Sequence, residues 1–264
     1  MTQNPRQTLS IQRVRPALGT LVAIEAAGRA EAELLTGIDE AYAAVERVGA
    51  LMHPRKSGSD LARLNMARSG DAILIDPWTY SLLVLARELH ALTGGVFDPC
   101  TPDARGRMAD LDLDTVDHVT LRAPVSIDLG GIAKGFAVDR AIEALRASGC
   151  TAGLVNAGGD LRVFGSAPRP LLVRLASGVA VQIELANAAL AVSAPSSQGS
   201  PLEHRGYYDG STKKWVAGRA AAVLANEARV ADSLTKCVML CSESAADNVL
   251  RRFGARRVEV QANP

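Results

Sequence analysis

At 264 residues the chain has ample material to bury a core, in one large domain or two small ones. With 48% hydrophobic and 22% charged residues it has the composition of a folded globular protein, not of a disordered one. Its 29 Lys and Arg nearly cancel 28 Asp and Glu, and aromatics are only 4%, which argues against a dedicated nucleic-acid or anionic-membrane binder.

The opening Met1-Thr2-Gln3-Asn4-Pro5-Arg6 lacks the apolar stretch of a secretory leader, and no run approaches a membrane span. As given, the chain therefore reads as cytoplasmic, without membrane insertion. Residues 8–14 alternate apolar and polar side chains and predict a strand; residues 19–25 predict a second. Arg15-Pro16-Ala17-Leu18 between them predicts a turn or bulge. Leu34, Ile38, Tyr42, Val45 and Val48 recur at helical spacing and predict a long amphipathic helix over 30–51. A second helix is predicted over 79–92 and stops at Gly94-Gly95, since glycine tolerates the left-handed backbone of helix ends. The Asp- and Arg-rich stretch 103–117 reads as an exposed connection. Ser126-Ile127-Asp128-Leu129 leads into Gly130-Gly131, and a helix is predicted from about 133 to 148. Residues 154–164 have the outline of a hairpin, short strands are predicted at 171–176, 179–185 and 188–193, and 194–214 reads as a polar loop. A strand at 215–225, a helix from near Asp232, a helix at 244–253 and a strand at 256–261 complete the chain.

Strands and helices mix without strict βαβ alternation, which predicts an α+β fold of layered antiparallel or mixed sheets flanked by helices. No Pro/Gly/Ser linker divides the chain, so one domain over 1–264 is expected. The cysteines, at 100, 150, 237 and 241, are too dispersed for a disulfide scaffold. Cys237 and Cys241 share a face if helical, but no nearby His or third Cys completes a zinc site, so they read as small buried residues.

The sharpest segment is Asp128-Leu129-Gly130-Gly131-Ile132-Ala133-Lys134-Gly135. Paired glycines let a backbone approach a ligand, a helix start offers N–H groups to phosphate oxygens, and Lys134 supplies a cation. The alternative is a glycine turn with Asp128 capping the helix and Lys134 solvated. No Walker A loop is present, because Gly follows Lys134, and GxGxxG is absent. Thr93-Gly94-Gly95-Val96-Phe97-Asp98-Pro99 reads as a helix stop that exposes the Asp98 carboxylate beside a rigid turn. Asn156-Ala157-Gly158-Gly159-Asp160 reads as a tight hairpin connection. Asp232, in a first helical turn, either complements the helix dipole or holds a hard cation through oxygen. His204, in the polar loop near Asp209, is either a general base or a solvated side chain. Hydrolase and kinase signatures are absent.

Taken in order, these segments resemble the FAD:protein FMN transferase family, the ApbE-like proteins. Leu18-Gly19-Thr20 resembles its opening Met-Gly-Thr. Met52 with Ser59-Asp60-Leu61-Ala62-Arg63-Leu64-Asn65 resembles its Met-Ser…Ser-x-Leu-x-x-x-Asn block, and Gly95-Val96-Phe97-Asp98-Pro99 its Gly-Ala-Phe-Asp-Pro. Asp128 through Gly135 with Val138-Asp139 resembles its central motif; Asn156 through Asp160 and Ala231-Asp232-Ser233-Leu234 complete a series covering residues 15–260. The resemblance implies a T-fold-related layered α+β architecture, FAD as ligand and Mg²⁺ as metal. It also implies transfer of FMN from FAD to a Ser or Thr hydroxyl of a target flavoprotein, with release of AMP. By position, Leu18, Val96, Phe97, Asp98, Asp128 and Lys134 would line FAD, and Arg55 stands where the family has a flavin-stacking Tyr. The Gly131 carbonyl and the Asp232 carboxylate would face the metal, Asp232 as a catalytic residue, with His204 the base for the acceptor hydroxyl. The family's metal helix reads Asp-x-x-x-Thr, whereas Lys236 stands four residues after Asp232 and Thr235 one position early. A lysine cannot ligate Mg²⁺, although its charge can take over the cation's role. That departure implies an alternative: an FAD-binding protein, or an FAD pyrophosphate hydrolase, that has lost the Mg²⁺-dependent transfer site. The family is mostly exported.

Overall fold

The computed structural model describes residues 8–102, 106–113, 115–174, 180–193, 207–216 and 220–258. Strands β1 (Leu9–Ala17) and β2 (Thr20–Gly28) form a hairpin in which Ala17 pairs with Thr20. Its two-residue loop, Leu18-Gly19, has φ of 52° and 72°, the left-handed pair that matches the strand twist. The turn expected at Arg15-Pro16-Ala17-Leu18 is thus confined to its last residue and Gly19. β1 lies at the sheet edge with a neighbour on one side only, where a proline is tolerated within the strand.

Helix α1 (Glu31–Leu51) agrees with the predicted span and buries Leu34, Ile38, Tyr42, Val45 and Val48 along one stripe. Helix α2 (Asp60–Met66) was invisible to periodicity because it is too short; Ser59 Oγ caps it by accepting the Ala62 amide at 3.1 Å. After β3 (Ala72–Leu74) comes α3 (Pro77–Leu92), which starts two residues earlier than predicted because Asp76 accepts the Trp78 amide. The stretch expected to be an exposed connection is partly core. A 3₁₀ turn (Met108–Asp110) and β4 (Leu111–Asp112) alternate charge with apolar side chains, and Met108, Leu111 and Leu113 are buried. Its acidic and basic residues masked that alternation. β5 (His118–Leu121) lies between β3 and β4 in a small antiparallel sheet.

Helix α4 (Ala133–Ala147) leads into the hairpin β6 (Ala152–Ala157) and β7 (Asp160–Phe164). β8 (Arg169–Arg174), β9 (Ala180–Leu185) and β10 (Ala189–Ser193) follow. The residues read as a polar loop contain β11 (Tyr207–Asp209), paired with β12 (Lys214–Val216); β13 (Ala221–Ala225) is a separate strand. Helix α5 (Ala228–Leu240) begins four residues before Asp232, so that carboxylate is not in the first turn. α6 (Glu243–Arg252) and the short β14 (Arg256–Arg257) complete the described chain.

The main sheet has the order β1-β2-β6-β7-β10-β13-β14, every adjacent pair antiparallel. Strand alternation divides it into two apolar faces. Val155, Ala157, Ala189, Ala191, Val223 and Ala225 pack into the core shared with α1, α4 and α5. Leu154, Leu161, Val163, Leu190 and Ala222 face a smaller cluster with Val173 and Leu185 of the β8–β9 hairpin. The protein is an α+β fold of layered antiparallel sheets flanked by helices. All four cysteines are buried thiols.

Candidate functional site

The glycine bend enters the site from an anchored segment, in which Ile127 forms an isolated antiparallel bridge with Cys100. Asn65, at the end of α2, clamps Ile127: its Oδ1 accepts the Ile127 amide at 2.7 Å and its Nδ2 donates to the Ile127 carbonyl at 3.0 Å. The 97–101 segment is zipped alongside, Asp128 N–H donating to the Pro99 carbonyl at 2.9 Å and Thr101 N–H to that of Ser126 at 2.7 Å. Asp128 then turns the chain by accepting the Gly130 amide at 2.8 Å. It does not cap α4, whose first residue is Ala133. Neither Gly130 nor Gly131 has positive φ, so backbone hand does not explain them. Close approach accounts for Gly130, where a Cβ would lie 3.0 Å from Asp128 Oδ1; at Gly131 a Cβ would make only an ordinary contact, 3.4 Å from Cε of Lys236.

Below the bend, α4 and α5 cap each other. Asp232, on α5, is fully buried, and its Oδ2 accepts the Gly135 amide of the first α4 turn at 3.0 Å. Asp139, on α4, accepts the Ala228 and Arg229 amides that open α5, each at 2.9 Å. Each carboxylate thereby sits at the positive end of the other helix. The crossing is tight enough that a Cβ on Gly135 would meet the Ala228 carbonyl oxygen at 2.3 Å. Burial pushes the Asp139 carboxyl above its usual range against the pull of Arg162, which donates to it at 2.7 Å.

Two lysines converge above this crossing. Lys134 pairs with buried Asp160, and Lys236 pairs with Asp232 Oδ1. Burial alone would lower Lys134, but Asp232 and Asp160 outweigh it and hold its ammonium above the ordinary range. Burial and the neighbouring Asp232 push Asp160 up to about 6, against Lys134 and Lys236. Its Oδ1 is buried with no hydrogen-bond partner among the described residues. Asn156 closes the β6–β7 turn by accepting the Gly159 amide at 3.0 Å, so this segment is a hairpin connection, as expected, and also delivers Asp160.

Cavities open on either side of the bend, sharing Asp128 and Gly130. One, of about 260 Å³, is lined by Phe97, Gly131, Tyr207, Tyr208, Trp215 and Lys236, among others. The other, of about 450 Å³, is lined by Leu18, Met52, His53, Pro54, Lys56 and Lys134, among others. Of the residues singled out in sequence, Phe97, Asp98, Asp128 and Gly131 line the first; Leu18, Asp128 and Lys134 line the second. Arg55 is exposed and lines neither, and Val96 lines neither. Asp232 lies beneath the floor behind Lys236. His204 is outside the described residues. The Asp98 carboxylate, expected to be exposed, is turned inward. It accepts the Cys100 amide at 2.8 Å and the Met108 amide at 3.2 Å, because the chain reversal leaves those donors otherwise unsatisfied. Sequence reasoning missed Tyr207, Tyr208 and Trp215, although two adjacent tyrosines of only four in the chain were a signal within a supposed polar loop.

The residues present do not fit a resident Mg²⁺ at Gly131 and Asp232. Mg²⁺ demands near-octahedral oxygen ligation. Here one Asp232 oxygen is closed by an ammonium and the other by an amide. Thr235 donates to the Asp232 carbonyl at 2.7 Å and contacts Ser193 Oγ at 2.9 Å, so it does not replace the missing ligand. Among the described residues no group of three His, Cys, Asp or Glu is placed to hold a metal.

Fold and site together define a class: a layered α+β protein whose glycine bend and two lysines form a ridge between two cavities. A family model described as the ApbE family matches residues 18–104 and 103–260, and the chain belongs to that family. It is similar to the FAD:protein FMN transferase of Treponema pallidum, 25% identical over 185 residues that make up 58% of this chain and 51% of that protein. It is also similar to the one from Rhodobacter capsulatus, 29% identical over 178 residues, 56% of this chain and 33% of that protein. The chain thus aligns with about half or less of the length of these curated relatives. Among solved structures, the apo Pseudomonas stutzeri flavinyl transferase ApbE superposes with a TM-score of 0.79 at 18% identity, covering 98% of this chain and 94% of that one. The Vibrio cholerae flavin transferase ApbE gives 0.80 at 20% identity, covering 94% and 92%. These structures support the fold. No described helix is long and apolar enough to cross a membrane.

Proposed function

We propose that this protein is an FAD:protein FMN transferase, moving FMN from FAD to a Ser or Thr hydroxyl of a target flavoprotein and releasing AMP. The observation that carries the reading is the ridge between two cavities. FAD has a ring system at each end of a diphosphate, and the ridge offers the Lys134 ammonium to that diphosphate, whereas the Ala133 and Gly135 amides expected from the helix start are taken by the Leu129 carbonyl and by Asp232. Phe97, Tyr208 and Trp215 supply aromatic surface for one ring system; Leu18, Met52 and Pro54 supply apolar surface for the other. In the reaction the acceptor oxygen forms a bond to the FMN phosphorus, the phosphorus–oxygen bond to AMP breaks, and the hydroxyl proton passes to a base. His204 is the sequence's candidate for that base. Cations at the ridge offset the charge that builds on the departing phosphate.

A second reading is favoured by the closed Asp232 carboxylate: FAD binding, or FAD pyrophosphate hydrolysis, without transfer. One assay separates them. The protein is incubated with FAD and a candidate acceptor bearing exposed Ser and Thr, with and without Mg²⁺, and AMP and acceptor mass are followed. Transfer gives AMP together with an FMN-sized mass gain on the acceptor. AMP alone means hydrolysis, and bound flavin with neither product means a binding protein. A protein that stays colourless after soaking in FAD and desalting removes every flavin reading.

A further inference from the structure

The inference rests on the flavin reading and concerns Lys236. This residue stands one turn after Asp232 on α5, its side chain only 13% exposed, and it lines the smaller cavity beside Gly130 and Gly131. Its stem lies over Gly131, in van der Waals reach of where a Cβ would stand. Its ammonium donates to Asp232 Oδ1, to the Asp232 carbonyl at 3.1 Å and to Ser193 Oγ at 3.4 Å. The carboxylate beneath it is fully buried and tied to the Gly135 amide, so the lysine is posted from below and faces the cavity above. Charge at that point is already balanced, and a divalent ion would have to displace or adjoin an ammonium.

We infer that Lys236 is the resident cation of this cleft: its ammonium binds a non-bridging oxygen of the dinucleotide's diphosphate directly, in place of a divalent metal. The Ser193 contact is the longest of the three and is the one a phosphate oxygen replaces. A lysine is a point charge with three rotatable donors, so it can keep Asp232 while taking the phosphate.

The test uses FAD and Mn²⁺ as probes, on the whole protein and on two variants, with circular dichroism to verify folding. The unaltered protein binds FAD with the same affinity in Mg²⁺ and in excess EDTA, and gives no bound-Mn²⁺ signal by electron paramagnetic resonance. Lys236→Thr weakens FAD binding about tenfold in EDTA, recovers it with Mg²⁺, and binds Mn²⁺. Lys236→Met weakens FAD binding to the same extent and does not recover with Mg²⁺. Unaltered protein that needs Mg²⁺ to bind FAD, or that binds Mn²⁺ at this cleft, overturns the inference and leaves the flavin reading standing. Undiminished FAD affinity in a folded Lys236→Met protein likewise overturns the inference alone. Absence of FAD binding under every condition overturns both.

Discussion

Asp139 and Asp232 are the same device put to different ends. Each is a buried carboxylate that caps the helix opposite, and each is balanced by one cation. For Asp139 the cation is Arg162, on β7 in the middle of the main sheet, and it lines neither cavity. For Asp232 it is Lys236, one turn along the same helix and facing the smaller cavity. A guanidinium fixed in sheet–helix packing makes structure; an ammonium on a flexible stem beside an opening makes a site.

The largest effect is expected from Asp139→Ala, which strands Arg162 and frees the first amides of α5. A loss of about 3–5 kcal/mol in stability is expected, read by urea unfolding, whereas FAD affinity of the folded fraction stays unchanged. Direct loss of affinity in a fully folded variant would place Asp139 in the site. Next comes Gly135→Ala, which tests the crossing both carboxylates serve. Its Cβ meets backbone, which cannot yield cheaply, so a cost of about 1–3 kcal/mol follows in thermal or urea unfolding. A neutral result would mean that the helices separate easily. The most gradual effect, spread over about two pH units, concerns Asp160, raised from 3.8 to about 6 by burial and Asp232. Between those values the native state holds a proton that the unfolded chain has released, so stability falls as pH rises through this window. The slope stays below about 1.4 kcal/mol per pH unit. Urea midpoints measured from pH 4 to 7 should show that fall, and Asp160→Asn should flatten it; an equal slope in the variant assigns it elsewhere.

Much of this architecture was legible in the chain. The spacing of Leu34, Ile38, Tyr42, Val45 and Val48 specified α1 because a long stripe repeats enough times to stand out. α2 escaped because seven residues hold too few repeats, and the 108–113 segment because charged neighbours masked its apolar alternation. The ridge was readable too, since paired glycines ahead of a helix start are a local pattern.

What only tertiary structure decided is who faces whom. That Asp98 turns inward, that Asp160 pairs with Lys134, and that Asp139 and Asp232 exchange helix caps all depend on elements far apart in the chain. By itself the order of residues determined the layered α+β class and the glycine ridge, because periodicity and turn chemistry act over a few neighbours. The partners of buried charges were decided by packing, because a carboxylate removed from water must take whatever donors the fold brings within reach.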